Sequence, residues 1–192
     1  MAVKEASAVR PSARERLLAA ANELFYNEGV HTVGIDRIIE QAGVAKASLY
    51  NTFGSKDELV RAYLVQQSQL QRTTAASLGK ATPREMLLAI FDNVGELGLD
   101  PSYRGCPFVN AAAEYPDPAH PVRQAIGEHR RWFRGLLRDL LAADGHPDPD
   151  RTADLLVALK DGLLVAADLD DPTRQSVIHD AVTRLLDGPA AT

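Results

Sequence analysis

A chain of 192 residues with 21 Lys and Arg against 26 Asp and Glu, net −5, is long enough for one domain, or two small ones, around a real core. No apolar run approaches the ~20 residues of a bilayer span, and the leading MAVKEASAVRPS lacks the apolar stretch of a signal peptide, so a cytoplasmic protein with no membrane contact is expected. The single cysteine, Cys106, excludes an internal disulfide framework and suits a reducing compartment.

Charge is unevenly placed along the chain. Residues 1–64 hold eight basic and eight acidic side chains, while the remainder carries the whole −5. A neutral N-terminal part lacks the basic footprint of a domain that binds nucleic acid by charge alone. Binding there would have to rest on a few placed contacts and on dimerisation.

Residues 1–11 are small and polar and predict a flexible arm. Arg10 and Arg14 could reach a DNA backbone, although a solvated tail is the plainer reading. Ser12-Ala13-Arg14-Glu15 is a capping-box pattern opening a helix with Leu17, Leu18, Ala21, Leu24 and Phe25 on one stripe, ended by Gly29. Next comes VGIDRIIEQAGVAKASLYNTF, Val33 to Phe53. Ile35, Ile38 and Ile39 give a short helix one apolar face, and Gly43 sits where the chain must reverse. Val44 and Leu49 can tuck inwards, leaving Lys46, Ala47, Ser48, Tyr50 and Asn51 on the outer side of a second short helix. Two helices joined by a glycine turn, the second with a small and polar outer face, describe a helix-turn-helix reader; the plain alternative is a solvated helical hairpin. Asn51 can pair with an adenine edge, Lys46 with guanine or phosphate, Tyr50 and Ser48 with phosphate, and Ala47 can pack on a thymine methyl. Arg37 is a further contact candidate, whereas Asp36 would be repelled by phosphate and instead supports its helix N-terminus.

Ser55-Lys56-Asp57-Glu58 is a second capping box. The helix it opens carries Leu59, Tyr63, Leu64 and Leu70, then fades into QQSQLQRTTAAS, so it reads as a bridge to a second domain and continues to about residue 78. The domain boundaries expected are 12–64 for the reader and 79–192 for the rest. Thr82-Pro83-Arg84-Glu85 opens a fifth helix bearing Met86, Leu87, Ile90, Phe91, Val94 and Leu97. Pro107, Pro116, Pro118 and Pro121 break the following region into a short helix and loops. A long helix from about Pro121 to Ala142 follows, with Val122, Ile126, His129, Trp132, Phe133, Leu136, Leu137 and Leu140 at helical spacing. Asp148-Pro149 and Asp171-Pro172 open the last two helices, to about Asp168 and Asp187. Nothing reads as a strand. The chain is predicted to be all-α, about nine helices in two parts.

Between the fourth and eighth helices, Phe91, Val94, Cys106, Phe108, Val109, Asn110, His129, Trp132, Phe133 and Leu136 mix large apolar groups with a few polar ones, the composition of a small-molecule pocket. For any one of them ordinary core packing is the plain alternative. Cys106, with Arg104 nearby, could act as a thiol sensor, although a lone buried cysteine is usually inert. The five histidines show no metal-ligand spacing, and no nucleophile–base pair or phosphate loop is visible, so neither metal, cofactor nor enzymatic activity is called for.

The run Gly29 to Leu59, GVHTVGIDRIIEQAGVAKASLYNTFGSKDEL, resembles the DNA-binding domain of the TetR family of bacterial transcriptional regulators: a Gly ending the first helix, the AGV turn, the SLYNTF helix and the GSKDEL start of the fourth. Val33 and Ala45 stand where that family usually has hydroxyl residues. The resemblance implies double-stranded DNA contact through Gly34, Arg37, Lys46, Ala47, Ser48, Tyr50, Asn51 and Lys56, the last on phosphate. It implies that the final two helices form a four-helix bundle with a twin chain, through Leu155, Leu159, Gly162, Leu163, Ala166, Ile178, Ala181, Val182 and Leu185. It further implies a homodimeric repressor on a palindromic operator, released by a small-molecule inducer. The alternatives are a regulator of the same fold without an inducer, answering to a protein partner or to Cys106 oxidation, and a helical enzyme with an incidental N-terminal resemblance.

Overall fold

The computed structural model describes residues 11–80, 82–169 and 176–187. Among them are nine helices and no strand: α1 Ala13–Glu28, α2 Ile35–Ala42, α3 Lys46–Phe53, α4 Lys56–Ser77, α5 Pro83–Leu97, α6 Pro107–Glu114, α7 Pro121–Ala143, α8 Pro149–Leu169 and α9 Ser176–Asp187. The expected arm up to residue 10 and the Asp171-Pro172 cap lie outside the described residues.

Local chemistry explains where the helices begin. Ser12 and Thr82 form complete capping boxes, each side chain accepting from the backbone N–H of a Glu three residues on while that Glu reaches back. The box at Ser55 is one-sided: Ser55 Oγ accepts from Glu58 N at 3.1 Å, but the Glu58 carboxylate accepts from Arg61 Nε at 2.8 Å instead. Pro83, Pro107, Pro121 and Pro149 each stand first in their helix, where a missing N–H leaves nothing unsatisfied. Asp148 Oδ1 accepts from Arg151 N at 3.2 Å to cap α8.

The chain divides into two compact units, Met1–Tyr63 and Leu64–Thr192, with α4 contributing its first eight residues to the former. In the first, α1 packs on α2 and α3. Leu17, Ala21, Leu24, Phe25, Ile38, Leu49, Leu59 and Tyr63 are each less than 5% exposed, and each large apolar side chain so buried contributes about 1.5–3 kcal/mol. Phe25 and Tyr63 meet edge to face, ring centroids 5.8 Å apart.

In the second unit α7 packs chiefly on α8, and α5 on α7 and α9. Leu87, Ile90, Phe91, Phe133, Leu137, Leu141, Ala153, Leu156, Ile178, Val182 and Leu186 form its core. Of the apolar positions named on α4 and α5, Leu70 is 55% and Leu97 48% exposed. No helix among the described residues is long and apolar enough to cross a membrane.

Candidate nucleic-acid interface and the polar layer of the second unit

The first unit holds two short helices at a fixed angle by chemistry at one turn. α2 ends at Gly43, whose backbone is left-handed (φ 60°, ψ 45°), a conformation that costs an L-residue with a Cβ about 1–2 kcal/mol. Val44 N then donates back to Ile39 O at 3.1 Å. The Arg16 guanidinium of α1 donates through one nitrogen to Ala42 O at 3.0 Å and Gly43 O at 2.8 Å. A cation thus closes the carbonyl end of α2, where the helix dipole favours positive charge. Sequence reading did not single Arg16 out; nothing in its spacing announces a contact 26 residues away.

On α3, Leu49 is fully buried and anchors the helix, while Lys46, Ala47, Asn51 and Tyr50 face outwards, Tyr50 44% exposed. Ser48 is half-buried, and its carbonyl accepts from Thr52 Oγ1 at 2.6 Å. Lys56 stands half-buried as the first residue of α4, and Gly34 caps α2 with no side-chain bond. Two cations of this face are already engaged by carboxylates. Lys46 Nζ lies 2.9 Å from Asp36 Oδ1, which holds the lysine pKa above its ordinary value, and Arg37 pairs with Glu28. Asp36 therefore meets Lys46 across the turn, a role its reading as helix support did not include.

The ten residues expected to line a pocket separate into different environments. Phe91 and Phe133 belong to the core, with Trp132 and Leu136 packed against it. Val94 and Val109 are half-buried and Cys106, at the N-cap of α6, is buried. Asn110 is on the surface: its Nδ2 donates to Arg104 O at 2.7 Å and fastens the loop before α6, so it does not face the interior. Phe108 and His129, 1% and 3% exposed, stack face to face with ring centroids 3.7 Å apart and planes 1° from parallel. Trp132 tilts against His129 at 5.4 Å. From α4, Ser68 Oγ shares a 3.1 Å hydrogen bond with His129 Nδ1, and the Arg72 guanidinium lies 4.4 Å over the Trp132 ring. Burial first, then Lys160, Arg72 and Arg130, push the His129 pKa down to about 3, so the ring is neutral near pH 7.

The expected twin-facing residues also divide. Ile178 and Val182 fill the chain's own core, 4% and 0% exposed, and cannot face a second chain. Leu159, Leu163, Ala166, Ala181 and Leu185 are half-buried. Leu155 and Gly162 are exposed, and with them Ala158, Val165 and Leu169 form a row along α8 spaced three and four residues apart, every member open to solvent. Alternating three- and four-residue spacing is the one that helices packed side by side use. Val165 and Leu169, together with Val177 on α9, were not among the expected residues. Among the described residues no three His, Cys, Asp or Glu side chains gather as a metal site would require.

A three-helix reader with a glycine turn, followed by a separate helical unit, defines a helix-turn-helix transcriptional regulator. The profile described as "Bacterial regulatory proteins, tetR family" matches residues 17–63, and "Tetracyclin repressor-like, C-terminal domain" matches residues 112–188. A TetR-family transcriptional regulator from Streptomyces coelicolor superposes with a TM-score of 0.86 at 41% identity, covering 91% of this chain and 94% of its own. The HTH-type transcriptional regulator YjdC of Escherichia coli is 25% identical over 79% of this chain and 81% of its own length. The HTH-type transcriptional activator FasR of Mycolicibacterium smegmatis is 47% identical over 55 residues, 29% of this chain and 25% of its own. The chain belongs to the TetR family of transcriptional regulators, a DNA-binding protein and not an enzyme.

Proposed function

We propose that this protein is a cytoplasmic repressor that binds a palindromic operator as a homodimer and lets go when a small molecule occupies the second unit. The observation that carries the reading is the outer face of α3, where Lys46, Ala47, Tyr50 and Asn51 stand exposed on a helix pinned from behind by Leu49. Such a face fits a major groove, with Asn51 reaching adenine and Lys46 and Arg37 exchanging their carboxylates for phosphates. Gly34, Ser48 and Lys56 flank it and serve the backbone. The exposed α8 row of Leu155, Ala158, Gly162, Val165 and Leu169 supports the dimer, since a contiguous apolar seam on a folded chain marks an interaction surface. Two readers so joined match half-sites ~34 Å apart.

The inducer reading is supported by a buried layer of rings and polar groups around His129, which is more elaborate than packing alone requires. Release follows if the ligand binds the DNA-competent state less well than the other, and only to that extent. A reporter promoter overlapping a site selected by the protein tests the sign of regulation. Silencing on expression of the protein is expected; increased output would make it an activator, and unchanged output would remove regulation at that site.

A further inference from the structure

Cations of the first unit are met by groups of the same unit. Arg16 closes the carbonyl end of α2, Arg14 lies 5.6 Å over the Phe53 ring, and Arg61 takes Glu58 one turn away on α4. On α2, neighbouring residues of opposite sign each reach a partner on another helix. Asp36 takes Lys46 at the start of α3, and Arg37 takes Glu28 at the end of α1.

The first of these pairs lies at the edge that would meet a base. Lys46 is the first residue of α3, and the N-terminal residues of a reading helix are the ones that contact base edges. Asp36 Oδ1, 2.9 Å from Lys46 Nζ, stands at the same edge. Asp36 also lies in the first turn of α2, whose cap Gly34 offers no side-chain acceptor, and an anion is favoured at that positive end. Its carboxylate therefore occupies two contacts that a DNA phosphate would use, a lysine and a helix N-terminus. The Asp36 side chain is 82% and that of Lys46 55% exposed, so the pair opens without disturbing any packing. So exposed a pair adds little to folding, whereas a carboxylate on a face that meets a polyanion opposes binding.

We propose that Asp36 is a specificity-determining residue of the reader. It holds Lys46 as an internal counter-ion on duplexes that offer no matching bases, and releases it only where base contacts from α3 seat the helix in the groove. Sequence-independent binding thereby loses one cation that specific binding keeps. The proposal rests on the reading of α3 as the helix that meets DNA.

The purified full-length protein and its variants are titrated with the palindrome that selection enriches and with an unrelated duplex of equal length, between about 50 and 200 mM salt. Asp36→Asn is expected to tighten the unrelated duplex about three- to ten-fold, and to steepen its slope of log affinity against log salt by about one. The palindrome is expected to gain no more than about two-fold, so the preference for it falls. In a Lys46→Met background Asp36→Asn is expected to change neither slope nor affinity for the unrelated duplex, because the cation it would free is gone. Glu96→Gln, which takes the same charge from an exposed position on α5, is expected to leave the preference unchanged. Circular dichroism and a cooperative melt establish that each variant is folded. Equal gains on both duplexes, no gain on the unrelated one, or an Asp36→Asn effect of the same size with and without Lys46 would overturn the proposal. The last result would make Asp36 a plain repulsive charge. In each of these cases the reading of α3 still stands if Tyr50→Ala and Asn51→Ala together abolish binding to the palindrome. If they do not, that reading falls and the proposal with it.

Discussion

At the turn between α2 and α3, Gly43 and Arg16 act on the same few atoms. The left-handed backbone of Gly43 and the paired carbonyl contacts of Arg16 together set the exit of α2 and hence the angle of α3. Gly43→Ala is expected to lower stability by about 1 kcal/mol in urea unfolding, with no clash to add, since a Cβ there would meet Arg16 at an ordinary 3.5 Å. Arg16→Met is expected to weaken operator binding more than its own loss of stability accounts for, because it frees the carbonyl end of α2; equal operator affinity in a folded variant would show the contact to be idle. His129 gives a pH signature. Its folded pKa, about 3, lies below the ordinary 6.5, so the unfolded chain takes up the proton first and stability present above pH 6.5 is lost as pH falls towards 3. Between pH 7.5 and pH 5 that loss is about 2 kcal/mol, and His129→Phe should abolish this part of the pH dependence in paired urea titrations. Asp161 does not blur the window. Burial raises its pKa, but Lys160 and Arg130 outweigh burial and hold it below the ordinary carboxylate range, so it titrates at lower pH.

Among the elements, α1, α7 and both readers' helices were legible in the sequence because their chemistry is local. Capping residues, proline at the first helical position and apolar spacing act within one or two turns, and Ser12, Thr82, Pro121 and Gly43 do in the structure what their types favour. What was not legible was facing. Ile178 and Val182 sit on the same amphipathic helix as Val177, and spacing alone cannot say which edge meets the chain's own core. Asn110 lies within an apolar run, yet its amide is spent on a loop carbonyl six residues earlier. One signal was available and passed over: Lys160 stands in register with Leu156 and Leu164, a break in a stripe that points to a polar layer. The α8 seam carries its own prediction. Val165 is 44% exposed, so Val165→Glu should change the stability of the folded chain by no more than about 0.5 kcal/mol. Sedimentation should nonetheless show the variant as a monomer, with operator binding greatly weakened. A dimer that persists in this variant would place the interface elsewhere.

For the molecule as a whole, the charge distribution states how DNA can be bound. The first 64 residues are neutral and the rest is acidic, so the protein has little long-range attraction for a phosphate backbone and must depend on contacts made at close range. The Asp36–Lys46 and Glu28–Arg37 pairs lower the free positive charge further. Lys46→Met is accordingly expected to reduce the slope of log affinity against log salt by about one unit, and Asn51→Ala to cost about 1–3 kcal/mol and relax choice at one base pair. The direct measurement of the central claim is selection of bound duplexes from a random pool by the full-length protein at fixed salt. The account predicts one enriched palindrome with half-site centres about one helical turn apart. That enrichment should vanish in a Tyr50→Ala, Asn51→Ala double variant that still melts cooperatively. Selection that enriches no sequence at low salt, or enriches the same sequence with the double variant, would contradict it.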